Sequence, residues 1–190
     1  MIQTNDDSNQ RFGVDFNITF RKLDITDYEM VQKFSCGYRA LDDFIRHLCF
    51  NNKQYATYLF VENSTNTLIS FCALSSKGIT AYQEINDKAY CTQFPAIEIE
   101  FFAVDDKYRK ILIDKNSQPH ETLSRTFLLV MLKQIDSVIS THVGVQYVCL
   151  YSVPKAVNFY KRCGFKEFKD FMSADESPFL DNCIPMFLKL

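Results

Sequence analysis

Tryptophan is absent, glycine and proline occur five times each, histidine three times, and none of the seven cysteines belongs to a Cys-x-x-Cys pair. The scattered histidines and cysteines give no metal-ligand spacing, so no metal is expected. The cysteine total is odd, and Cys72 and Cys149 lie inside the apolar runs Phe71-Cys72-Ala73 and Val148-Cys149-Leu150. These are small hydrophobes rather than a disulfide framework, and they point to a reducing, cytoplasmic compartment. No apolar run reaches membrane-spanning length and Met1–Gln10 is polar, so neither a membrane partner nor a secretory leader is expected. A net charge of −2 excludes a bulk pull toward nucleic acid or anionic lipid. Repeats, low-complexity segments and linkers rich in Gly, Pro or Ser are also missing. That leaves residues 1–16 as a loose tail and 17–190 as a single domain.

What the chain does have is aromatic bulk. Eighteen phenylalanines and ten tyrosines, within 47% hydrophobic residues, can fill one sizeable interior and exclude a disordered chain. The rest is arranged around Pro95–Val104, a glycine-free stretch of apolar residues and glutamates. As a strand it places Ile97, Ile99, Phe101 and Ala103 on one face, and Glu98, Glu100, Phe102 and Val104 on the other. One apolar and one mixed face suit a central strand with a site beside it. The two carboxylates are either solvated edge charges or the first sign of acid–base chemistry.

In chain order, Asn17–Leu23 reads as a first strand. The run Thr26-Asp27-Tyr28-Glu29 has the form of a capping box and predicts a helix from Thr26 to about Phe34. Cys36-Gly37 breaks it, and Leu41, Phe44, Ile45, Leu48 and Cys49 form the apolar stripe of a second helix. Asp42, Asp43, Arg46 and His47 take its outer face. Tyr55–Glu62 and Leu68–Leu74 make a hairpin around Asn63-Ser64-Thr65-Asn66. Residues 78–94 read as a loop with a short helix at Ala81–Ile85. Asp105–Glu121 is a long, charged, glycine-free connection. Thr122–Ser140 is a helix carrying Leu123, Phe127, Met131, Ile135, Val138 and Ile139. Gly144 ends it, Val145–Tyr151 is a strand, and Pro154 opens a short helix that Gly164 stops. Phe165–Phe171 and Ile184–Leu190 close the chain. The order predicts an α/β fold, a mixed sheet around one core.

Three segments, in this order, resemble the GNAT superfamily of N-acetyltransferases. Lys155-Ala-Val-Asn-Phe-Tyr-Lys-Arg-Cys-Gly-Phe165 is similar to its A-x-x-F-Y-x-x-x-G-F signature, and Glu98–Asp105 to its central strand. Phe34–Phe44 resembles the C-G-x-x-x-L-D-x-F segment of the toxin-like branch. The resemblance implies a mostly antiparallel sheet flanked by helices, with a splayed parallel pair, Ile97–Val104 and Val145–Tyr151, that admits acetyl-CoA. Phe102, Ala103 and Val104 would line the pantetheine arm, with Asn158 nearby, and one amide would hold the acetyl carbonyl. Tyr160 would protonate the leaving thiolate, although helical spacing alone reads it as a core aromatic beside Phe159. Glu98 stands where the histone-acetylating branch has its general base, and Glu100 is the second candidate.

The chain departs from the family at the pyrophosphate loop, Q/R-x-x-G-x-G/A, for which residues 108–126 offer no glycine. Thr122, Ser124 and the helix amides, with Arg109, Lys110 or Arg125 for charge, are the remaining phosphate ligands. Two functions stay open: an acetyltransferase acting on a small-molecule, protein or aminoacyl amine, and a GNAT-fold binding or regulatory module without catalysis. A toxin-like role would make charged transfer RNA the acceptor, which the acidic composition does not favour. A homodimer through sheet edges or the last strand is the expected form of assembly.

Overall fold

A computed structural model describes residues 10–11, 17–85, 88–113, 121–168 and 182–190. Eight strands are hydrogen-bonded in the order β1-β2-β3-β4-β5-β6-β8-β7. They are β1 (Gln10–Arg11), β2 (Asn17–Lys22), β3 (Ala56–Glu62), β4 (Thr67–Ile85), β5 (Lys88–Val104), β6 (Tyr147–Ser152), β7 (Lys166–Glu167) and β8 (Ile184–Lys189). Among the pairs with a described register, all are antiparallel except β5–β6. This is the mixed, mostly antiparallel α/β sheet expected. The chain divides into two compact units, Met1–Ala73 with Phe101–Phe127, and Leu74–Glu100 with Leu128–Leu190.

In the first unit, Gln10–Arg11 pairs with Ile18 and Asn17, so the segment read as a tail contains a short strand. The first helix starts earlier than Thr26. Asp24 accepts hydrogen bonds from the Thr26 amide at 2.9 Å and the Thr26 hydroxyl at 2.8 Å, and Asp27 accepts one from the Asp24 amide at 2.9 Å. The capping box is therefore Asp24–Asp27, over a 3₁₀ turn at Ile25–Asp27 that leads into α1 (Tyr28–Val31). Arg21 fixes Asp27 with two bonds of 2.6 and 2.7 Å. The ion pair explains why this carboxylate can be buried.

Helix α2 (Arg39–Asp43) continues through a π-type turn at Phe44–Leu48, where the Cys49 amide donates to the Phe44 carbonyl. That wider turn shifts the stripe. Phe44, Ile45 and Cys49 are buried, but Leu48 is 57% exposed, against the expectation from spacing. Asp42 is a second correction. It is buried rather than outward, because its carboxylate accepts from the Cys36 amide at 2.8 Å and the Ser35 hydroxyl at 3.3 Å. His47 is exposed as read. Phe34, Phe44 and Phe71 meet in the core of this unit, Phe34 edge-on to Phe71 and Phe44 stacked on it. Each such buried side chain contributes about 1.5–3 kcal/mol.

In the second unit, residues 78–85 and 88–94 are strand rather than loop or helix. β4 runs on to Ile85 and β5 begins at Lys88. The short-range pattern misleads here because pairing between two long strands outweighs weak local propensity. Ile79, Ala96 and Cys149 form a buried cluster, with Phe94, Tyr147, Phe168 and Phe187 against it. The long helix follows expectation: α3 (Leu123–Gln134), a π-type stretch Ile135–Ser140 and Thr141–Val143. Gly144, at φ +67°, ends it. No described helix is long and apolar enough to cross a membrane.

A 3₁₀ turn at Pro154–Ala156 opens α4 (Val157–Arg162). Its end is a Schellman motif: the Phe165 amide donates to the Tyr160 carbonyl at 3.1 Å and the Gly164 amide to Lys161 at 3.0 Å, with Gly164 at φ +94°. The Phe165 and Tyr160 rings add the usual apolar contact, at 5.7 Å. Of the predicted strand Phe165–Phe171, Lys166–Glu167 is strand, and residues beyond 168 lie outside the described set.

Two tests of stability follow from these contacts. Gly37 has φ +75°, and a Cβ there would meet Asp106 Oδ2 at 2.7 Å, whereas a Cβ on Gly78 meets nothing within 4 Å. Gly37→Ala is expected to cost about 1–3 kcal/mol and Gly78→Ala little or nothing, read as thermal midpoints. The second concerns Glu62, whose carboxylate accepts from the hydroxyls and amides of Thr65 and Ser64. Those bonds, the Thr65 hydroxyl first, lower its pKa to about 2 from 4.5. The stabilisation is present above the unfolded value and fades as pH falls through about 2. Glu62→Gln is therefore expected to destabilise by about 1–2 kcal/mol at neutral pH, the gap from wild type closing on acidification toward that value.

Candidate functional site

The parallel ladder between β5 and β6 is short. It runs from Ala96↔Tyr147 through Ile97↔Val148 to Glu98↔Cys149, and the Gln146 amide donates to the Pro95 carbonyl just before it. Beyond Cys149, β6 continues to Ser152, paired with β8 as far as Ser152↔Ile184, and β5 continues past Glu98. The described register between the two strands therefore ends at Glu98 and Cys149, although each strand goes on.

Glu98 is the last β5 residue of that ladder and is 3% exposed, so the reading of a solvated edge charge does not hold for it. A buried carboxylate needs a counter-charge, and Lys77 Nζ on β4 lies 2.9 Å from its Oε2. The same ammonium sits 6.0 Å over the Tyr151 ring of β6. Glu100, two residues along, is half-buried and accepts from the Ser75 hydroxyl at 2.7 Å. Cys149, opposite Glu98, is a thiol whose pKa is pushed up to about 12, by burial first and by the Glu98 charge second. It is no thiolate at neutral pH and cannot serve as a nucleophile there.

Tyr160 is partly buried on α4 and held by its Phe159 and Phe165 neighbours, with ring centroids at 5.1 and 5.7 Å. Burial pushes its hydroxyl pKa well above the ordinary value of 10, so it stays protonated through the neutral range. Asn158 is exposed on the same helix. Glu98, Glu100, Tyr160 and Asn158 all belong to the second unit.

The other predicted ligands belong to the first. Ala103 and Val104 are buried and Phe102 is half-buried. The Ala103 carbonyl accepts from the Ser70 hydroxyl at 2.7 Å, and the Asp105 amide donates to Ile69 at 2.9 Å. Past the strand, the chain turns through Asp105–Ile111 and bridges Leu112 to Thr122. The start of α3 is already served from within: the Leu123 amide donates to Ile111 at 2.9 Å and the Arg125 amide to the Thr122 hydroxyl at 3.4 Å. Ser124 is buried, its hydroxyl donating to the Arg109 carbonyl at 3.1 Å. Arg125 Nε is buried with no hydrogen-bond partner among the described residues.

Sequence reasoning missed two groups. Ser75 and Lys77, beside a stretch read as loop, become partners of Glu100 and Glu98 because β4 stays extended past Leu74. Their alternate spacing with Ile79 was the available signal. Arg109 was weighed only as a phosphate ligand. It pairs with Asp106 at 2.6 Å, bonds the Cys36 carbonyl and lies 5.6 Å over the Tyr38 ring. Arg109 thus ties the Cys36–Tyr38 loop to the turn after β5.

No protein-family model and no curated protein matches the sequence. Solved structures do. A Tyr-to-Phe mutant of the toxin AtaT superimposes with a TM-score of 0.67 at 20% identity, over 90% of this chain and 89% of that one. AtaTR bound with acetyl-CoA gives 0.61 at 21%, over 90% and 92%. AtaT complexed with acetyl-methionyl-tRNAfMet gives 0.59 at 19%, over 88% and 93%. The mixed sheet with its parallel β5–β6 pair and these superpositions over nearly the whole length give the chain the GNAT fold.

Proposed function

We propose that the chain is an N-acetyltransferase that moves an acetyl group from acetyl-CoA to a primary amine by direct attack. The observation that carries this reading is the end of the β5–β6 ladder at a buried carboxylate, Glu98. The fold's neighbours supply the cosubstrate, since AtaTR is bound with acetyl-CoA. Backbone groups near Ala103 and Val104, farther along β5, would pair with the pantetheine arm. Glu98 takes a proton from the incoming amine, with Glu100 as the alternative base. Tyr160, which keeps its proton at neutral pH, returns one to the departing thiolate. A relay through an acetyl-cysteine has no support at Cys149, because its thiol stays protonated. The diphosphate would be held by side-chain charge at Arg125 more than by a backbone cradle. The Leu123 and Arg125 amides are already occupied, and no glycine lets the chain approach more closely.

That same occupancy favours the second reading, a GNAT-fold module that binds a partner and no longer transfers acetyl. The acceptor class follows the toxin likeness only so far. AtaT is complexed with acetyl-methionyl-tRNAfMet, and an aminoacyl amine is a reasonable acceptor here, although a net charge of −2 gives RNA little general attraction.

Calorimetric titration with acetyl-CoA separates the two. Saturable binding is expected, and no heat and no thermal shift at millimolar ligand would remove the enzyme reading. With binding in hand, Glu98→Gln is expected to lower turnover about 10²–10⁴-fold and to flatten its rise with pH, and Tyr160→Phe to lower it about 10²-fold, both with binding retained. An unchanged pH profile in Glu98→Gln would dismiss that residue as the base.

A further inference from the structure

We propose that Lys77 is itself an acetyl acceptor, so that the protein acetylates its own strand β4 at this position; the inference rests on the acetyltransferase reading above. Three observations place the amine. Lys77 Nζ is 2.9 Å from Glu98 Oε2, the atom assigned to take a proton from an attacking amine. Its side chain is 31% exposed, so a reagent from solvent can reach it, while the carboxylate beside it is 4% exposed. The amine also sits 6.0 Å over the ring of Tyr151, a β6 residue beyond the last described β5–β6 pair.

An amine held against its base needs no diffusional encounter, and proximity of this kind replaces a bimolecular step with an internal one. The chemistry balances. The Lys77 ammonium gives one proton to Glu98, the free nitrogen attacks the thioester carbonyl carbon, and a C–N bond forms as the C–S bond breaks. The thiolate takes a proton from Tyr160, whose phenolate recovers the second proton lost by nitrogen. The products are Nζ-acetyl-Lys77 and the free thiol of coenzyme A. Acetylation removes the positive charge at Nζ, and with it the counter-charge that Glu98 has in the unmodified protein.

Incubating the full chain with acetyl-CoA, followed by intact mass and peptide mapping, tests this. One acetyl group is expected on Lys77 well before the exposed Lys53 and Lys107 are modified. Glu98→Gln is expected to slow that modification about 10²-fold. Lys77→Arg, which keeps a cation beside Glu98, is expected to take up no acetyl group in this peptide and to keep the wild-type thermal midpoint. The acetylated wild type should melt lower than the unmodified protein. If acetyl-CoA binds and an added amine is acetylated while Lys77 gains acetyl no faster than Lys53 and Lys107, the inference is overturned and the transferase reading stands. If acetyl-CoA neither binds nor donates to any amine, both fall together.

Discussion

Strands β5 and β6 run parallel, and that direction constrains everything around them. A parallel neighbour cannot be reached by a tight turn; it needs a crossover, and the helical stretch from Leu123 to Val143 is that crossover. The chain spends 42 residues between Val104 and Tyr147 to make a ladder of three described residue pairs. The ladder's last β5 residue is an acidic one, Glu98, which packing in the sheet must accommodate.

The recognisable motifs turn out to describe backbone engineering. In Phe159-Tyr-Lys-Arg-Cys-Gly-Phe165 the glycine takes a positive φ, the following amide reaches back to the Tyr160 carbonyl, and the Phe165 ring returns to the Tyr160 ring. The spacing is what a Schellman stop requires, and its effect is to fix the orientation of one phenol. In Cys36-Gly-Tyr-Arg-Ala-Leu-Asp-Asp-Phe44 the glycine again takes a positive φ, Asp42 caps the Cys36 amide, and Phe44 enters the core. Both motifs act first on the backbone, the one fixing the turn of helix that carries Tyr160 and the other the turn between Cys36 and Phe44.

Local signals explain what could be read from the residues and what could not. The strands β2, β3 and β6, the helix behind Leu123 and both glycine stops were legible, because periodicity and turn chemistry act within a few residues. Residues 78–85 and 88–94 were not, since their extended form depends on a partner strand rather than on their own pattern. Leu48 and Asp42 were misplaced for a related reason. A π-type turn and a side chain that caps a distant amide both break the simple 3.6-residue bookkeeping. At the site, Glu98 was identifiable by position in a strand. Its burial and its partner Lys77 were not, because the contact joins residues 21 apart across a pair of strands.

In the reaction proposed above, Glu98 meets two demands that pull against each other. To be buried it needs a cation, and Lys77 supplies one at 2.9 Å. To act as a base it must have a lone pair available to an incoming amine, and a permanent ion pair would withhold it. The conflict eases if the cation is displaceable. Lys77 is on a flexible four-carbon stem with nearly a third of its side chain in solvent, so an acceptor ammonium can take its place without leaving the carboxylate alone. On this view the buried pair is a resting state of the base, with the resident lysine holding the position that a substrate amine would occupy. It also accounts for a carboxylate lasting in the middle of a sheet where an apolar residue would pack at lower cost.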